Sequence, residues 1–132
     1  MKTMKHQEFI AWLEEHEACN KAMEWVMANG LNSRDAWQQC NRGDWLLWFA
    51  LRVGCDRAEI VRAARECVRT APLTHVPLGE PGPHVASADH AASAVAEAAY
   101  TAAVNYAADY AIAAYDATLL RMADTVRGFI KY

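Results

Sequence analysis

The residues that could carry chemistry are concentrated in the second half of this chain. His75, Glu80, His84 and His90 fall within sixteen residues of one another, and imidazole with carboxylate can hold a divalent metal for hydrolysis. Their spacing matches no ligand motif, and histidines in a polar loop are ordinarily solvated. No metal or cofactor is therefore expected. Asp109 and Asp116 are seven residues apart and share a helix face with Asn105, an arrangement open to a general acid and base. The same spacing describes the wet side of a helix. Ringed by Tyr106, Tyr110 and Tyr115, the acidic stripe also suits the docking of a basic partner, because tyrosine offers a large contact area with few torsions to freeze. No G-x-S-x-G, P-loop, G-x-G-x-x-G or H-E-x-x-H occurs, and no Ser or Cys adjoins a His, so catalysis is not expected.

The densest local signal is Gly43-Asp44-Trp45-Leu46-Leu47-Trp48. Asp44 is suited to accept hydrogen bonds from the free amides of a first helical turn, a contribution of about 1 kcal/mol. Trp45 and Trp48, one turn apart, present two rings to one side. This segment is expected to keep the fold rather than to form a site.

Helices must position these groups. Phe9, Trp12 and Leu13, then Ala22, Met23 and Val26, follow helical spacing, and Gly30 supplies a left-handed stop. Asn32 or Ser33 predicts a cap for a third helix over residues 34–40, Asp44 one for 45–53, ended by Gly54, and Asp56 with Glu59 a capping-box start for 57–71. Ile60, Val61, Ala64, Cys67 and Val68 should line the inner face of that fifth helix. Residues 72–86 are a Pro/Gly loop, holding all four prolines. From Ser87 to Val126 there is neither Pro nor Gly, which allows one helix of about forty residues or two without an obvious breaker. Between Ala86 and Leu120, 16 of 35 residues are alanine and none is Lys or Arg, so this stretch should be enclosed by neighbours, its small side chains letting other helices approach.

Length and composition bound what remains. The 132 residues suit one domain, and 54% apolar content fills a core without disulfide or metal. Cys19, Cys40, Cys55 and Cys67 contain no C-x-x-C pair and are expected to be free and mostly buried. Thirteen basic against sixteen acidic residues give a net charge of −3, which disfavours direct nucleic-acid binding. The excess of acid lies wholly beyond residue 71, where three basic residues face six acidic ones. All tryptophans lie in 1–48 and all tyrosines in 100–132, suggesting a tryptophan-rich layer against an alanine-rich helix. Glu97, Asn105, Asp109 and Asp116 interrupt the alanine stretch and argue against a membrane span. Acidic residues after the basic start argue against a secretion signal, so a cytoplasmic protein is expected.

The string Ala36-Trp37-Gln38-Gln39-Cys40-Asn41-Arg42-Gly43-Asp44-Trp45-Leu46-Leu47-Trp48, followed by Val76-Pro77-Leu78-Gly79-Glu80 and by an alanine- and tyrosine-rich helix ending Met122-Ala123-Asp124-Thr125-Val126-Arg127, resembles the all-helical immunity proteins of bacterial polymorphic toxin systems, a family also found in phages. The resemblance covers residues 9–130. It implies a small cytoplasmic protein that neutralises a toxin by binding it. The family's Arg-Pro after the Gly-Glu pair is replaced here by Pro81-Gly82-Pro83.

These readings predict an all-α single domain, with four or five short helices packed on one or two long alanine-rich C-terminal helices. The expected function is inhibition of another protein by direct binding, through Glu80, Tyr106, Asp109, Tyr110 and Asp116, while Trp37, Gly43, Asp44, Trp45 and Trp48 hold the fold. The alternatives are a phage-encoded anti-defence inhibitor of the anti-CRISPR type, which would bind a host nuclease complex, and, more remotely, a metal-dependent hydrolase. An alanine-rich helix can also pack on its own copy, giving a homodimer.

Overall fold

A computed structural model describes residues 2–71, 85–104, 106 and 108–132. Among them there is no strand. The helices are α1 (His6–Glu15), α2 (Asn20–Asn29), α3 (Ser33–Gln39), α4 (Gly43–Val53), α5 (Arg57–Thr70), α6 (Ala91–Ala103) and α7 (Ala108–Phe129), with a single 3-10 turn at Ala88–His90 before α6. The all-α expectation holds. The stretch left open as one helix or two is two, parted near Val104 without a glycine or proline. The chain groups into two compact units, Met1–Cys40 with Tyr132, and Asn41–Lys131.

In the first unit, local signals set the helix ends. Asn32 caps α3 by accepting from the Asp35 amide at 2.7 Å, and Gly30, at φ 61°, closes α2. The end of α1 has no such residue: Glu17 itself takes the left-handed conformation, φ 57°, while the Ala18 amide reaches back to the Leu13 carbonyl at 3.0 Å. Phe9, Leu13, Val26, Leu31, Ala36, Trp37 and Cys40 form the buried core. Ser33, fully buried, is the polar centre of this unit. The Met4 amide donates to its hydroxyl at 2.7 Å, and that hydroxyl lies 2.7 Å from the Tyr132 hydroxyl, which donates to the Lys2 carbonyl at 3.1 Å. Because the one phenolic proton of Tyr132 goes to Lys2, Ser33 is the donor in their shared bond. The chain's last residue is tied in this way beside Trp37, with ring centroids 5.8 Å apart.

In the second unit α4 and α5 each pack against both α6 and α7. The α6 interface is made of Ala91, Ala94, Val95, Ala98, Ala99, Ala102 and Ala103, all buried, and faces Leu46, Leu47, Phe49 and Ala50 of α4 and Ile60, Ala63, Ala64 and Cys67 of α5. Such small side chains bring helix axes close enough for the larger ones to fill the space between. Of the inner face expected for α5, Ile60, Ala64 and Cys67 are buried, whereas Val61 and Val68 are half-buried and Ala63 takes the core position. Asp56 caps α5 by accepting from the Ala58 amide at 2.8 Å, but Glu59 turns to Arg62 (3.8 Å) rather than closing a reciprocal box.

Three expectations need correction. Asp44 does not cap α4, which begins at Gly43 with Arg42 in the capping position. The Asp44 carboxylate instead takes two hydrogen bonds from the Arg42 guanidinium, at 3.2 Å from Nε and 2.9 Å from Nη2. Trp45 and Trp48 are half-buried rather than layered into the core; Arg42 lies 4.7 Å over the Trp45 ring and Arg52 5.6 Å over that of Trp48. Finally, the alanine-rich stretch is enclosed over α6 but not over the start of α7, where none of the described side chains from Tyr110 to Ala117 is buried.

Candidate functional site

The uncovered start of α7 follows from a mismatch between its pattern and its packing. Ile112, Leu119 and Val126 are seven residues apart and share one stripe of the helix. Leu119 and Val126 are sealed in the core, with Met122 and Ala123 beside them, yet Ile112 is 73% exposed. The apolar stripe of α7 thus runs about two turns beyond the helices that cover it.

Around that overhang are Tyr100 and Val104 at the end of α6, Tyr106 in the turn, and Tyr110 and Leu120 on α7, all exposed. With Ile112 they make six of the eight large exposed hydrophobic residues among those described; Tyr110 and Ile112, two residues apart, lie on opposite flanks of α7. The three tyrosine rings, each about half to two thirds exposed, present on the order of 350 Å² together.

Of the expected contact residues, Tyr106, Tyr110 and Asp116 are exposed on this part of the molecule. Asp109 lies on α7 two turns before Asp116, its side chain outside the described residues, as are Asn105 and Glu80. Tyr115 departs from the expected ring of tyrosines. It is half-buried, and its hydroxyl accepts from Arg42 Nη2 at 3.2 Å, with the guanidinium 5.7 Å from its ring. Arg42 therefore ties the start of α4 to Tyr115 on α7, and the hydrogen bonds to Asp44 make the Arg42 guanidinium hold its proton still more firmly than usual, against the opposing effect of burial.

Beside this tie, Asn41, Arg42, Asp116, Ala117, Leu119 and Leu120 line a groove of about 300 Å³. Its apolar floor and single acidic residue, with the charge of Arg42 already matched by Asp44, suit an amphipathic basic side chain. Sequence reasoning missed Tyr100, Val104, Ile112 and Leu120, because an alanine-rich helix gives no sign of where its cover ends. Arg42 could have been noticed from its place two residues before Asp44.

Among the described residues no three His, Cys, Asp or Glu side chains come together to hold an ion. His75, Glu80 and His84 lie outside the described residues. No helix among the described residues is long and apolar enough to cross a membrane. Comparisons of the chain with protein-family models, curated proteins and solved structures find no match.

Proposed function

We propose that this chain acts by binding and inhibiting another protein, as an immunity protein does, and that the exposed start of α7, with Ile112 and Asp116 on one flank and Tyr110 on the other, makes the contact together with Tyr100, Val104 and Tyr106. The observation that carries this reading is the exposure of Ile112 on a stripe whose next two members are core residues. Water contact at such a position costs the molecule free energy that a partner's apolar surface recovers. The partner is basic, because residues 86–120 contain acidic side chains and no Lys or Arg, and like charge across an interface is unfavourable. Toxin nucleases and nucleic-acid-binding defence proteins both present basic surfaces, so an anti-defence inhibitor would use the same face. No catalysis or cofactor enters this account, and the expected setting is the cytoplasm.

The test is affinity capture from the native cell with the wild-type chain and with Ile112→Asp and Tyr110→Ala, followed by mass spectrometry. The expected result is one stoichiometric basic protein on the wild type, at least tenfold depleted on both variants, consistent with loss of central interface side chains. Equal retention on all three contradicts the assignment of this face.

A further inference from the structure

A second feature lies on α5, on the side turned away from its buried stripe. Arg57, Arg62 and Arg65 project within about 140° of one another around the helix axis, and with Val61, Ser87 and Ala88 they line a groove of about 480 Å³. That volume falls within the range of small-molecule sites. We propose that this groove binds a phosphate monoester carried by a small molecule, with the phosphate between the arginines and the organic body on Ala58 and Val61.

One of the three arginines already holds an oxyanion beside the groove. The Asp89 carboxylate accepts from Arg57 Nη2 at 2.6 Å, and both side chains are more than half exposed. An ion pair so open to water contributes little and exchanges readily. Arg62 has only a loose partner in Glu59, at 3.8 Å, and Arg65 makes no ion pair among the described residues. Three guanidinium groups line the groove, and none of the nearby carboxylates, Asp56, Glu59 and Asp89, does. A phosphate monoester, which carries close to two negative charges at neutral pH, answers that wholly basic lining. Guanidinium forks fit tetrahedral oxyanions in two-bond contacts, and the Ser87 hydroxyl adds a donor. Ala58 and Val61 supply an apolar wall that free phosphate would not need.

The experiment is an amide-shift titration of the full chain with adenosine 5′-monophosphate, inorganic phosphate and adenosine. The monophosphate is expected to saturate below about 1 mM, shifting residues 57–65 and 87–89, more tightly than inorganic phosphate and with adenosine silent. Arg65→Gln, a change on an exposed face, is expected to weaken binding about tenfold, and Asp89→Ala to tighten it by removing the competing carboxylate. Absence of saturation, shifts centred elsewhere, or unchanged affinity in Arg65→Gln overturns the proposal. Inorganic phosphate binding as tightly as the monophosphate overturns the place given to the organic body.

Discussion

A β-carbon on Gly43 would lie 2.6 Å from the Met122 β-carbon and 2.9 Å from the Met122 carbonyl carbon. The start of α4 is therefore pressed against the backbone of α7, and only hydrogen fits between them. Neither contact can be relieved by turning a flexible side chain. Gly43→Ala is expected to lower stability by about 2–3 kcal/mol, read from the midpoint of urea unfolding, with helix content retained. An unchanged midpoint would show that α4 and α7 are further apart than this.

Glu17 presents the opposite case. It ends α1 at φ 57°, a conformation that costs a side-chain-bearing residue about 1 kcal/mol or more. Glycine removes that strain and gives back part of the gain through the freedom of the unfolded chain. Glu17→Gly should therefore raise stability by about 0.5–1 kcal/mol, whereas Glu17→Val should lower it; denaturation of the two variants side by side decides the matter.

The four free cysteines differ in environment. Burial pushes the Cys67 thiol up to about 12 from 9.0, helped by the nearby Glu66, and its Sγ lies 3.5 Å from the Met122 carbonyl oxygen. Because the folded chain holds this proton more firmly than the unfolded chain, the stabilising difference is complete below pH 9 and declines as the pH rises from 9 toward 12. Thiol titration of the native protein should label Cys19 first and Cys55 slowly, the latter half-buried and raised by desolvation. Cys40 and Cys67 should react only on unfolding. Rapid labelling of Cys67 at pH 8 would contradict the packing of α5 on α7.

Much of this fold is legible in local sequence because its signals act within one turn. Gly30 and Gly54 adopt left-handed conformations, and Asn32 and Asp56 cap the helices that follow them. Asp44 looks like these caps in sequence, but the guanidinium two residues earlier claims its carboxylate and lets Gly43 enter the helix. The left-handed Glu17 and the break between α6 and α7 leave no characteristic residue type to read. At the candidate site, Tyr106, Tyr110 and Asp116 could be picked out by type and spacing. The exposure of Ile112 could not, because its pattern is that of Leu119 and Val126, and only the arrangement of the other helices separates covered from uncovered turns.

The central claim is that the overhanging start of α7 is a docking face. It is tested most directly by replacing Ile112 with a photo-crosslinking amino acid in the native cell, and separately Met27, an exposed apolar residue of α2. The account predicts a single adduct with a basic protein from position 112 and none from position 27. No adduct from position 112, or the same adducts from both positions, would contradict it.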